Sequence, residues 1–247
     1  MNHRALECEL NQLLSVEKYS DYAPNGLQVE GKQTVHKVIC GVTASLELIE
    51  QAIERQADAI IVHHGYFWKG ENLPIVGIKQ RRIKALLQND INLYGYHLPL
   101  DGHTTLGNNA QLGKLWQIAD AAPIAPFDLL WTGSLPGVSV EEFTDTLRQS
   151  LARTPLLISG SDRKIYKLAW CSGGAQGFLE KAAGLGADAY VSGEISEKTY
   201  HEAREYGMHY FAAGHHATER GGIAALADYL NQHSELACEF IDCFNPV

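Results

Sequence analysis

At 247 residues, with 45% apolar and 20% charged side chains, the chain has a globular composition and can bury one large core or two interlocked ones. Its formal net charge of −9 argues against a general affinity for nucleic acid, which rests on Lys and Arg. No run approaches the roughly 20 apolar residues that span a bilayer. The residues after Met1 turn acidic where a secretory signal would continue its apolar core. The five cysteines form no C-x-x-C pair and read as reduced thiols, so a cytoplasmic location is expected.

In chain order, the pattern opens with a short helix over Leu6 to Leu14 and a turn-rich loop from Ser20 to Gly26. An apolar strand near Val35 to Val38 leads through a small-residue turn to a helix marked by Leu46, Ile49 and Ile53. A second apolar strand ends in Ile60-Ile61-Val62 and runs directly into His63-His64-Gly65. Gly65 to Pro74 reads as a loop that offers Tyr66, Phe67, Trp68 and Lys69 to stack on a base or meet a phosphate. A third strand, Leu93 to Tyr96, meets His97-x-x-x-Asp101, and Gly107-x-x-Ala110-x-Leu112 is predicted to open a helix. Residues 126–164 then carry strand-like runs at Leu129 to Trp131 and Leu156 to Ile158, with a helix near Val140 to Leu151.

Shifting the chain by 130 residues aligns Val35 to Val62 with Ile165 to Ser192 without a gap. Lys37/Lys167, Glu50/Glu180, Ala52/Ala182 and the Ala-Asp-Ala triplets at 57–59 and 187–189 coincide. The likeness continues at His209 to Ala213, a third strand meeting His215-x-x-x-Glu219, and at Gly221-x-x-Ala224-x-Leu226, predicted to open the following helix. The expected organisation is a first α/β repeat with its N-terminal helix over 1–125, a connecting segment over 126–164 and a second repeat over 165–247, the halves intertwined. Strands alternating with helices imply layered α/β architecture with mostly parallel or mixed sheets. Ligands collect beyond the carboxyl ends of such strands, so a shared metal cleft between the repeats is the geometric expectation.

The chemistry concentrates in His63, His64, His97, Asp101, His215 and Glu219, each group just after an apolar strand. Adjacent residues on a regular strand face opposite ways, so His63 and His64 can serve one site only where the strand ends, and Gly65 supplies that end. Asp101 and Glu219 add negative charge able to join two cations. His63, His64, Asp101, His215 and Glu219 are therefore the expected ligands of two divalent transition metals. Mixed His/carboxylate spheres without cysteine favour Zn, Fe, Mn, Co or Ni over Ca or Mg. His97 is left as a sixth ligand, an orienting residue or a catalytic acid/base. His103 and His216 flank the motifs and are expected behind the site or at the surface. His201-Glu202-x-x-Glu205 lacks a second zincin histidine. The Ser172 to Gly177 turn could cradle phosphate, although a tight connection is the favoured reading.

These residues, in this order, resemble the NIF-three-like family, whose bacterial members are often named GTP cyclohydrolase 1 type 2 homologues. The resemblance is carried by Ser20 to Gly31, Ile61 to Glu71, Asp90 to Leu112, Ala212 to Ile223 and the C-terminal Phe240-Ile241-Asp242 with Asn245-Pro246. It covers essentially the whole chain and is similar to the short enterobacterial-type members. It implies two intertwined α/β halves, a dimetal site on His63, His64, Asp101, His215 and Glu219, and a ring-shaped homohexamer. Gly65 departs from the family, many members having proline there, and an altered loop rigidity is expected from it. The leading functional expectation is a metal-dependent hydrolase acting on a nucleotide-like small molecule, with His97 moving protons. A metal carrier or scaffold and a ring that clasps DNA are the alternatives.

Overall fold

The computed structural model describes residues 1–247. Two compact units are present, one from Met1–Leu106 with Gly222–Phe244, the other from Gly107–Gly221 with Asn245–Val247. In the first unit, α1 (His3–Leu13) begins where the Asn2 side chain accepts the amides of Arg4 and Ala5. The unit then runs through β1 (Gly26–Val29), β2 (Lys37–Thr43), α2 (Leu46–Glu54), β3 (Ala59–His64), α3 (Gly77–Gln88), β4 (Asn92–Gly95) and the short α4 (Leu98–Gly102). The second holds α5 (Asn108–Leu115), β5 (Ala119–Pro123), β6 (Trp131–Val138), α6 (Val140–Leu151), β7 (Leu156–Ile158), β8 (Ile165–Trp170), α7 (Leu179–Gly184), β9 (Ala189–Ser192), α8 (Glu197–Glu205) and β10 (His209–Ala212). The long α9 (His215–His233) and β11 (Ala237–Phe240) complete the chain.

Each unit has its own mixed sheet. The first is ordered β1-β4-β3-β2-β11, parallel except for the edge strand β1. The second is ordered β5-β6-β8-β9-β10-β7, with β8, β9 and β10 parallel and the outer pairings antiparallel. Central parallel strands are buried on both faces, which is why β2 and β3 read as near-continuous apolar runs. One face of the first sheet packs Val38, Cys40 and Ile61 against Leu6 and Leu10 of α1 and Leu226 and Leu230 of α9. Its other face packs Ile39, Ile60 and Val62 against α2 and α3 through Leu48, Ile49, Ile83 and Leu86.

The duplication is visible in the strand register. Val38 pairs with Ala59 and Cys40 with Ile61; Leu168 pairs with Ala189 and Trp170 with Val191, the same pairs displaced by 130. A carboxylate pins each repeat. Asp58 accepts the amides of His36 and Lys37 at 2.9 and 3.1 Å, and Asp188 accepts those of Tyr166 and Lys167 at 3.0 and 2.9 Å.

One sequence expectation is corrected here. Gly107 does cap α5, but Gly221 lies inside α9, which begins at His215 instead. Four more residues separate His97 from Gly107 than separate His215 from Gly221. That extra segment splits the first copy into α4 and α5, whereas the second copy forms one continuous helix.

Burial alone would raise the Asp58 carboxyl, but hydrogen bonds from Lys32 and the His36 and Lys37 amides outweigh it and lower it. Its contribution to stability is therefore complete above the unfolded carboxylate value and lost as pH falls through the lower folded one. Asp58→Ala and Asp188→Ala should each lower the unfolding free energy by about 0.5–1.5 kcal/mol, because the amides at the strand starts lose their acceptor. Urea denaturation would read this, with the exposed Asp145→Ala control changing stability by less than about 0.5 kcal/mol.

Candidate metal centre

The first unit gathers His63, His64 and His97 so that one ring nitrogen from each lies within 4.8 Å of the others. His63 and His64 close β3, where the strand ends and both rings can turn to one side. Their ring centroids are 4.5 Å apart, and His97 lies 5.1 Å from His63 and 5.8 Å from His64. Asp101, on α4, places a carboxylate oxygen 3.5 Å from His63 Nε2. Gly102 lets this turn sit against Tyr19, since a Cβ there would collide with the phenol oxygen. Burial, then the charge of Asp101, pushes the Tyr19 phenol up to about 12, so it keeps its proton at neutral pH.

In the second unit His215 and Glu219 sit one turn apart at the start of α9, with His215 Nε2 3.1 Å from Glu219 Oε1. Gly173, at φ +64°, forms the wall beside them; a Cβ there would collide with Glu219 Oε1. The Gly173 amide donates to Thr218 Oγ1 at 3.0 Å, and its carbonyl accepts the Ser192 hydroxyl and the Ala175 and Gly193 amides. The Ser172 to Gly177 turn is thus a tight connection shaped around the His215–Glu219 pair.

The bonds made by the other ring nitrogen decide what each imidazole can do. His63 Nδ1 lies 3.0 Å from the Tyr96 carbonyl, which can only accept, so Nδ1 carries the proton and Nε2 the lone pair. His97 Nδ1 is 2.9 Å from Asp21 Oδ1, and His215 Nδ1 is 2.7 Å from Glu194 Oε1. His64 Nδ1 is 3.3 Å from Thr43 Oγ1. Such oxygen partners fix tautomer and ring orientation in metal sites and raise the basicity of the ligating nitrogen. The residues therefore fit a metal by donor type, by grouping and by the support behind each ring.

Asp21 and Glu194 were not among the residues singled out from sequence. Burial would raise the Asp21 carboxyl, but hydrogen bonds from His97, Asn25 and the Ala23 amide hold it well below the usual range. At His215 burial works against the charged ring, yet Glu219 first and Glu194 second outweigh it and raise the imidazole to about 9. A cation there would take over the charge that this proton carries between two carboxylates. Glu194 occupies the position that matches His64 under the 130-residue shift, a signal the duplication already contained.

The remaining candidates divide. His103 Nδ1 accepts the amides of Leu106 and Thr105 and so caps its own turn. His216 is buried, and its amide donates to the Val247 carbonyl. His201 is exposed on α8. Of the four loop residues expected to meet a base, Tyr66 is excluded. It is buried, and its hydroxyl is given to the Ala44 carbonyl. Phe67 faces the Lys79 ammonium. Trp68 alone of the three aromatics lies beside the imidazoles, 4.9 Å from His97 and 5.9 Å from His64.

The family model described as Duf34/NIF3 (NGG1p interacting factor 3) matches residues 1–246. This chain belongs to the DUF34/NIF3 family. A relative from Salmonella typhimurium, named GTP cyclohydrolase 1 type 2 homolog, is 51% identical over 250 residues covering the whole of both chains. A solved structure of protein ybgI, of unknown function, superposes with a TM-score of 0.97 at 51% identity, again over both whole chains. TTHA1606 from Thermus thermophilus does so with a TM-score of 0.92 at 35% identity and the same coverage. No helix of this DUF34/NIF3 chain is long and apolar enough to cross a membrane.

Glu194→Ala should weaken binding of a divalent metal by about 10–100-fold, the usual cost of losing a partner behind a ligating histidine. Gly173→Ala should weaken it at least as much by displacing Glu219. Competition titration against a chromophoric chelator measures both; unchanged affinity in both variants would remove His215 and Glu219 from the candidate ligands.

Proposed function

We propose that this DUF34/NIF3 chain is a dinuclear metal-dependent hydrolase acting on a nucleotide-like small molecule. His63, His64, Asp101, His215 and Glu219 would hold two divalent ions. The observation that carries this reading is the grouping of the His63, His64 and His97 ring nitrogens within 4.8 Å, with an accepting oxygen on Nδ1 of His63, His97 and His215 that directs Nε2 toward coordination. All donors are nitrogen or oxygen, which suits Zn, Fe, Mn, Co or Ni. Ions held there supply Lewis-acid polarisation and a source of hydroxide at neutral pH.

The chain's own residues do the rest. His63 and His64 are fixed at a strand end, so their rings need little reorganisation to bind. Asp101 and Glu219, both nearly buried, supply the negative charge that a pair of cations requires. His97 is oriented by Asp21 from one side, which leaves Nε2 to take up or deliver a proton at the reacting atoms. The relatives' name, GTP cyclohydrolase 1 type 2 homolog, supports a nucleotide-like substrate. A homohexameric assembly belongs to the same proposal, on family resemblance.

Incubation of metal-loaded protein with GTP and a panel of nucleotides tests the reading. Turnover is expected for at least one compound, and His64→Ala should lower it by more than about 100-fold together with metal content. His97→Ala should lower kcat by about 10²–10⁴-fold with metal content intact. No turnover above the His64→Ala level would contradict hydrolysis, and metal loss in His97→Ala would make that residue a ligand.

A further inference from the structure

A second aromatic residue stands beside the imidazoles, on a segment that the sequence marked only as a turn. Tyr22 is 55% exposed, yet its ring is held at 5.6 Å from Trp68 and 5.0 Å from His97. Tyr22 and Trp68 both meet the His97 ring edge-on, at interplanar angles of 73° and 79°. The two side chains thus flank the residue assigned above to proton transfer.

Both are mounted rigidly. The Asp21 carboxylate accepts the Ala23 amide, the Asn25 side chain and the Leu98 amide, and Asn25 Oδ1 accepts the His97 amide. The Tyr22 carbonyl accepts the Lys69 amide at 2.8 Å, which ties this loop to the one carrying Trp68. Trp68 donates its indole N–H to the Gly65 carbonyl and its amide to Glu71. A large aromatic ring gains most by burial, so holding one fixed and exposed forgoes stabilisation that the core could have supplied. The same rigidity lowers the ordering cost when a ligand covers the ring. An aromatic face beside a reactive centre recognises planar rings of any hydrogen-bonding pattern.

We infer that Tyr22 and Trp68 form the stacking surface for a planar heteroaromatic ring, and that Tyr22 is a specificity-determining residue of the site. The inference rests on the reading of the chain as acting on a nucleotide-like small molecule, and it names the part of that molecule which is gripped.

Equilibrium dialysis of the metal-free full chain with guanosine 5′-monophosphate, beside ribose 5-phosphate, separates ring recognition from phosphate recognition. Wild-type protein should bind the nucleotide, and Tyr22→Ser and Trp68→Leu should each weaken it by about 5- to 100-fold, the scale of one lost base–aromatic stack. Tyr22→Phe, which keeps the face and removes only the hydroxyl, should stay within about twofold. Ribose 5-phosphate should bind far more weakly to every form. Unchanged affinity in Tyr22→Ser, equal binding of ribose 5-phosphate, or no nucleotide binding by the wild type would overturn the inference. Metal content of the same variants, expected to equal that of wild type after loading, keeps the two readings separate. Unchanged nucleotide affinity in Tyr22→Ser with metal intact sinks this inference alone, whereas failure of wild-type protein to take up metal sinks the hydrolase.

Discussion

A neutral imidazole has one lone pair to give, and the bond made by its other nitrogen decides which nitrogen gives it. The candidate histidines His63, His64, His97 and His215 each have Nδ1 next to an oxygen: the Tyr96 carbonyl, the Thr43 hydroxyl and the carboxylates of Asp21 and Glu194. A carbonyl or carboxylate only accepts, so on His63, His97 and His215 Nε2 is the nitrogen directed to ligation, and on His215 it meets the Glu219 carboxylate. A core histidine satisfied by neutral groups on both nitrogens would have no such preference. His209 illustrates it: fully buried, with Ser159 near Nδ1 and the Arg163 carbonyl 2.9 Å from Nε2, it is structural.

The fold serves this constraint at strand ends. β3 delivers two adjacent histidines because the pleat stops at Gly65, and β4 and β10 each lead within a few residues to a His-x-x-x-carboxylate pair. In both pairs the spacing works because the carboxylate follows one helical turn later. The two repeats keep their register through Asp58 and Asp188, which hold the amides at the start of β2 and β8. Glycine then provides the room: Gly173 against Glu219, and Gly102 against Tyr19.

Much of this was legible in the residues. The duplication foretold that the strand-helix-strand order repeats, because parallel strands buried on both faces leave long apolar runs that align without gaps, and the strand register repeats with the same shift. α6 falls at Val140–Leu151, as read, since Ser139 and Glu142 form a capping box that marks its start. Gly221 misled because a glycine after a strand resembles a helix start, whereas α9 carries it in the helix interior. Tyr66 misled because loop aromatics look available until one finds a carbonyl, here that of Ala44, to satisfy its hydroxyl inside the core. Asp21 and Tyr22 left no periodic trace; their importance arises from hydrogen bonds to His97, Asn25 and Leu98 across the fold.

The grouping of imidazoles and carboxylates as a metal centre is tested most directly by X-ray absorption on protein loaded with zinc. The account predicts a first shell of nitrogen and oxygen only, with multiple-scattering features of imidazole and a metal–metal vector at about 3.5–4 Å. A sulfur shell, a spectrum without imidazole scattering, or protein that retains no zinc would contradict it.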